Sequence, residues 1–394
     1  MRTLLVTDWN KGRGGAEANI VAVRQGLLEA GDDVRLFTSS VGTAGDGLAE
    51  YVAPGWENMA AQAFLQIWNP FAASTLRRAI DEFRPEVAFV NMFAHHLSPA
   101  VLMGLRGVPT VLYVSDYKCV CPIGSKLLPE NSLCEVQPGW VCHRSGCVGL
   151  AHWLRDRPRY ALIHAAVTGV QRILACSQWV QKELGASGYS AGVLPSPVPA
   201  PGSAFLRKPS THPDFLFCGR LDKEKGVELL LRAFASMHQQ HANARLRILG
   251  QGPLRESLEQ MTHDLGIGGA VDFLGWLSPA EVESHLVNAW ASLIPSLWPE
   301  PQGMVAVEAM VRRIPVIASA CGGLSEFVQH GVNGLLFPNN DQEALTRCML
   351  AIASGEVFPE HQISSETARQ AADLFSIERF VLRLRAVFSE IRGA

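Results

Sequence analysis

The stretch DFLFCGRLDKEKGVELLLRAF, residues 214–234, decides how the chain is organised. A near-continuous apolar run ends at Gly219, a charged turn follows, and Gly226 opens a run of helical character. A strand buried on both faces, a loop and a helix form the repeating unit of a parallel sheet. The residues before it, 194–213, hold six prolines in twenty positions and no regular structure. The pattern therefore restarts after a linker, placed at 198–213.

Working outward, the same alternation fills both sides. TLLVTDW (3–9), DVRLFTS (33–39), EVAFVNM (86–92) and TVLYVSD (110–116) are expected strands, and AEANIVAVRQGLLEAG an amphipathic helix stopped by Gly31. After the linker come DFLFCGR (214–220), ARLRILG (244–250), AVDFLG (270–275), ASLIPS (291–296) and PVIASA (315–320). Two runs of βαβ units predict an α/β protein with two Rossmann-like doubly wound domains facing across a cleft. Expected boundaries are 1–197, the linker, 214–374, and a terminal helix within 375–394 that packs on either domain, the first being plausible.

With 394 residues, 48% hydrophobic and 18% charged, the chain suits a soluble protein of two domains. A net charge of −3 argues against a broad nucleic-acid surface. Asp8 interrupts the first apolar run, so a signal peptide is not expected. No stretch approaches the roughly 18 apolar residues of a membrane span. A cytoplasmic location is expected, with peripheral attachment at the inner face of the membrane left open.

Four constellations carry chemistry. NKGRGGAEANI (10–20) follows the first strand with Gly12, Gly14 and Gly15, a turn that aims backbone N–H groups at an anion or is simply tight. In the second, Arg220 and Lys225 flank a strand end and a helix start. A forked guanidinium beside an ammonium suits a diphosphate, or they belong to a solvated charge run. The third is SLWPEPQGMVAVEAM (296–310), where Glu300 precedes a helix start and Glu308 lies inside an apolar helix, roughly 10 Å further along. Gly303, Met304 and Val305 would offer free N–H groups, and Glu308 would accept from two vicinal hydroxyls. The fourth, ACGGLSEFVQHGVNGLLF, has Gly322–Gly323 as a turn that lets a ligand approach or is structural, with Glu326 capping a helix or touching ligand. There is no P-loop and no GxGxxG fingerprint.

Four motifs, GGAE, GRLDKEKGV, the two glutamates of PEPQGMVAVEAM and GGLSEFVQHGVNGLLF, occur in one order over most of the chain. In this the sequence resembles the retaining glycosyltransferases of family 4, with a GT-B fold. The resemblance implies a nucleotide-diphosphate-sugar donor, UDP- or GDP-linked, and transfer that retains anomeric configuration and needs no metal. It assigns Arg220 and Lys225 to the diphosphate, Glu308 to the ribose, Glu300 to the donor sugar, and Gly303, Met304 and Val305 to phosphate or sugar. Gly14 and Gly15 would close over the donor, and the nucleobase would lie near FLGWLS (273–278), at Leu274. Many members carry a His-Asp pair after the fourth strand. Here it is Ser115–Asp116, leaving Asp116, and His95 in NMFAHHLSP, as further candidates. A sugar-nucleotide epimerase and a non-catalytic nucleotide-sugar-binding subunit remain alternatives.

Five of the nine cysteines fall between 119 and 147. Such a long loop needs a staple. A structural zinc held by Cys121, Cys134, Cys142 and Cys147 is one expectation, with disulfides, an iron–sulfur cluster or free thiols open because the spacings match no tight knuckle. The acceptor is a polysaccharide, glycolipid or metabolite that no residue pattern specifies.

Overall fold

The computed structural model describes residues 1–8, 15–41, 47–56, 58–203 and 205–393, except the side chains of residues 16, 17, 59 and 60. The chain forms two compact units. Met1–Pro129, Cys134–Pro197 and Ile377–Ala394 make the first, and Glu130–Leu133 with Val198–Ser376 the second.

The first unit carries β1 (Arg2–Val6), β2 (Asp33–Ser39), β3 (Tyr51–Ala53), β4 (Val87–Val90), β5 (Thr110–Val114), β6 (Arg172–Ala175) and β7 (Gly192–Val193). They lie in the order β3-β2-β1-β4-β5-β6-β7, and every pairing is parallel. β4 and β5 are buried along their whole length, which is why they show no alternation in the sequence. The chain runs from β1 outward to β3, then returns to β4 on the other side of β1. The crevice between β1 and β4 is thus a topological switch point, where such sheets bind ligands at their carboxyl edge.

The second unit repeats the design with β8 (Asp214–Cys218), β9 (Arg245–Leu249), β10 (Val271–Gly275), β11 (Ala291–Ile294), β12 (Val316–Ser319) and β13 (Gly334–Phe337). Their order is β10-β9-β8-β11-β12-β13, again parallel throughout, so its switch point lies between β8 and β11.

The proline-rich segment has no helix or strand, yet it is not a loose tether. Arg207 donates to the carbonyls of Leu286, Val287, Ala289 and His361, and Trp290 Nε1 donates to Ser210 O (2.8 Å), fastening the segment to the second unit. The last helix, Ile377–Arg392, belongs to the first unit. Phe380 meets the rings of Phe89 and Tyr113 edge-on, and Arg385 and Arg392 pair with Asp32 and Glu86. Among the described residues no helix is long and apolar enough to cross a membrane.

Gly226 shows how tightly the second switch point is built. Its φ of +66° is left-handed, and a Cβ there would lie 2.0 Å from the Pro295 carbonyl oxygen. At Gly355 (φ +75°) a Cβ would meet nothing within 4 Å. Alanine at Gly226 is expected to cost about 3 kcal/mol or more, against about 1 kcal/mol at Gly355. Urea midpoints of the two variants check this, and equal losses would contradict the close approach.

Candidate active site

In the second unit the loops leaving β8 and β11 border the switch point. A 3-10 turn, Lys223–Lys225, closes at Gly226, and Leu297 N donates to Glu224 O (2.8 Å), so the two loops are stitched together. Lys225 Nζ then reaches Glu300 Oε1 at 2.7 Å, and Ser296 Oγ donates to the same oxygen at 2.6 Å. The ammonium also sits 5.1 Å from the centroid of the Trp298 ring. Glu300 is only 7% exposed. Burial alone would raise its pKa, but the Lys225 charge and hydrogen bonds from Lys225, Ser296 and Trp298 outweigh it and hold the carboxyl below its usual value.

The paired glycines that follow β12 serve this loop. A Cβ on Gly322 would lie 2.4 Å from Glu300 O, and one on Gly323 2.5 Å from Pro301 O, while Gly323 N donates to Glu300 O at 2.7 Å. What approaches these glycines is the backbone of the Glu300 loop, which fits the structural reading of the turn.

Gly303 (φ +79°) starts the helix Met304–Val311 without a side-chain cap. The first N–H groups of a helix, here those of Met304 and Val305 beside Gly303, have no intrahelical acceptor and carry the positive end of the dipole. Glu308 lies one turn inside. Its neighbour at i+4, Arg312, is committed elsewhere, with Nε and Nη2 on Glu283 Oε1 (3.1 and 3.0 Å) and Nη1 on the Glu308 carbonyl. Among the described residues no hydrogen bond reaches the Glu308 carboxylate. Burial raises its pKa, with the Arg312 charge opposing only in part. Glu308 also faces the end of β8. Burial and then the Glu308 charge push the Cys218 thiol up to about 12.

Arg220 is 71% exposed and pairs with Asp222 at 2.9 Å, an exposed contact easily exchanged for an anion. Leu274 ends β10 on the same carboxyl edge, two strands from β8. The structure thus brings Lys225, Glu300, Gly303, Met304, Val305, Glu308 and Arg220 around one switch point, with Leu274 further along the edge.

In the first unit the switch point is spanned by a residue whose sequence signal was only a break in an apolar run. Asp8, 0% exposed, accepts from the backbone N–H groups of His95 (2.7 Å), His96 (2.8 Å) and Leu97 (2.8 Å). It fixes the turn that carries His95 after β4. Asp116 follows the neighbouring β5 and accepts from Lys118 N (2.9 Å). Ser115 Oγ donates to Asn91 Oδ1 (3.2 Å). Gly15 begins the helix Gly15–Glu29, and Gly14 lies outside the described residues.

Among the described residues no three His, Cys, Asp or Glu side chains gather into a group that could hold a metal ion, and Cys121, Cys134, Cys142 and Cys147 form no disulfide. Burial raises the Cys142 pKa, and the nearby Cys121 and Cys134 add to it. The segment is anchored instead by Lys126, whose ammonium is 3% exposed and pairs with Glu183 at 2.7 Å.

Comparison with known proteins follows this division. Residues 14–195 match the family model described as glycosyl transferase 4-like domain, and residues 203–371 the one described as glycosyl transferases group 1. The chain belongs to the family 4 glycosyltransferases. An uncharacterized glycosyltransferase of Methanocaldococcus jannaschii is 41% identical over 126 residues, 32% of each chain. A D-inositol 3-phosphate glycosyltransferase of Corynebacterium kroppenstedtii is 32% identical over 182 residues, 42% of this chain and 40% of that one. These alignments span 32% and 40% of the relatives' own length. Among solved structures, the sucrose-phosphate synthase of Thermosynechococcus elongatus superposes over 100% of both chains at a TM-score of 0.76 and 20% identity. Anabaena HepE in complex with UDP covers 99% of this chain and 100% of its own, at 0.73 and 18%. The fold is GT-B.

The ion pair at this site has a signed pH signature. Glu300's folded pKa is depressed, so its contribution is present above the unfolded value of 4.5 and is lost as pH falls through the folded value. Lys225→Gln strands a buried carboxylate and is expected to cost about 3 kcal/mol at pH 8. The deficit should shrink as pH falls below 4.5 and through Glu300's depressed folded value, beneath which the carboxyl is protonated in both proteins. Melting temperatures across that range measure it, and a pH-independent deficit would argue against the pairing.

Proposed function

We propose that the chain transfers a sugar from a nucleotide-diphosphate-sugar donor, UDP- or GDP-linked, to a glycan, glycolipid or metabolite acceptor, retaining anomeric configuration. The carrying observation is Glu308: a carboxylate inside an apolar helix, its natural cation turned to Glu283, next to an uncapped helix start. Such a group awaits donors, and vicinal ribose hydroxyls supply two of them. Family membership and the UDP and UDP-glucose complexes of HepE support a nucleotide-sugar donor.

In this reading the diphosphate lies across the start of the helix Met304–Val311, where Met304 and Val305 N–H groups meet its oxygens. Lys225 and Arg220 add cationic donors. As the sugar–phosphate bond breaks, these preorganised groups neutralise the departing diphosphate, the work a metal ion performs in other transferases. Glu300 keeps Lys225 aimed and presents its remaining lone pairs to the donor sugar. In the first unit, His95 and Asp116 stand on adjacent strand ends as polar groups for the acceptor hydroxyl.

A thermal-shift panel of UDP, GDP and their sugars tests the donor class, because a ligand bound only by the folded state raises its melting temperature. One base should give a clear shift, and none with any of them would sink the reading. Glu308→Gln is expected to weaken nucleotide binding about 10- to 100-fold, the worth of charged hydrogen bonds. It should not lower the ligand-free melting temperature at pH 7. A carboxyl with a raised folded pKa contributes stability below its unfolded value of 4.5 and loses it as pH rises through the folded one. Glu300→Gln should mainly slow transfer.

A further inference from the structure

The donor reading leaves unused the segment between β5 and the helix Leu150–Val167. We propose that this segment and the first three turns of that helix form the acceptor pocket, and that its occupant is a single sugar ring. The proposal rests on the glycosyl-transfer reading and deepens it.

Placement comes first. The segment leaves β5 at its carboxyl end, and the helix runs back to Arg172 at the start of β6, so the helix begins on the ligand-binding edge of the sheet. One face, with Arg159, Ile163 and Ala166, is buried. Arg159, 6% exposed, donates from Nη2 to Ala94 O at 2.6 Å. Ala94 immediately precedes His95, so this bond locks the helix to the turn that Asp8 organises.

The other face carries His152, Trp153, Asp156 and Tyr160 at helical spacing. They open into a cavity of about 300 Å³ whose opposite wall includes Pro122 and Pro138. Trp153 Nε1 donates to Gly139 O (3.0 Å), tying the two walls together. Arg155 Nε holds the Asp156 carboxylate at 2.7 Å. Among the described residues no hydrogen bond engages the Tyr160 hydroxyl or the His152 ring.

The chemistry selects the ligand class. Apolar walls of proline and indole meet a rim with a carboxylate, a phenol and an imidazole, which complements a ring having C–H faces and hydroxyl edges. A volume near the lower bound for ligand pockets takes a ring of that size and excludes a long lipid chain. The one arginine on the lining, Arg157, is exposed and lies over the Trp153 ring at 5.1 Å, so no inward-turned fork asks for a phosphate.

Saturation-transfer NMR of the full chain with p-nitrophenyl α- and β-glycosides of glucose, galactose and mannose tests the pocket without requiring turnover. At least one glycoside should bind, and Tyr160→Phe and Asp156→Asn should each weaken it about tenfold. In transfer assays the same variants should raise acceptor KM more than they lower kcat. A nucleotide-induced melting shift equal to the parent's confirms that each variant is folded. A glycoside that binds parent and both variants equally overturns the pocket while leaving the transfer reading intact. Failure of every glycoside to bind the parent overturns the sugar-ring occupant. Failure of the nucleotide sugars as well removes the transfer reading itself.

Discussion

The Lys225–Glu300 bridge answers a problem that the topology creates. β8 and β11 are neighbours, yet the chain leaves them toward opposite sides of the sheet, so their loops diverge above the crevice. A buried ion pair joins them at 2.7 Å, and much of the local sequence serves it. Gly226 lets the Lys225 turn reach the Pro295 carbonyl, Ser296 supplies a second donor to the carboxylate, and Gly322–Gly323 admits the backbone of the Glu300 loop. A pair this buried returns little net stability once desolvation is counted. What it supplies is geometry: an ammonium held at the start of a helix.

The first unit solves the same problem with different chemistry. Asp8 crosses its switch point to three backbone N–H groups, so the anion is satisfied by peptide dipoles, and among the described residues no cation pairs with it. One sheet edge thus presents positive charge and free N–H groups, suited to a diphosphate. The other has the N–H groups of His95, His96 and Leu97 already occupied by Asp8. In the proposed reading, the division of labour between donor and acceptor follows from which partner each bridging carboxylate takes.

Much of this was legible in the sequence because strands buried on both faces leave continuous apolar runs; β2 spans 33–39, the very residues expected. β3, β6, β7 and β13 were missed, each being four residues or fewer. Glu308 could be singled out since a carboxylate inside GMVAVEAMV has no local excuse. That its i+4 arginine turns to Glu283, 29 positions back, could not be read from spacing. The glycine pair at 322–323 left two readings open for a related reason: close approach could be inferred, but glycine does not say whether ligand or backbone comes near. Asp8 was visible only as an interruption. The thiols in 119–147 suggested metal, although a buried Lys126–Glu183 pair already anchors the segment.

The two sites differ in what fixes them, and this bears on how each could diverge. The donor edge is specified largely by main-chain geometry: left-handed glycines, uncapped N–H groups and one ion pair across a crevice that every such sheet possesses. Few substitutions there leave the backbone in place. The cavity beside the helix Leu150–Val167 is made of side chains on one helix face, and the helix is held from the opposite face by Arg159. Residues on the open face can change without disturbing that anchor. In the proposed reading, nucleotide binding is thereby tied to the fold, while recognition of the acceptor is free to vary upon it.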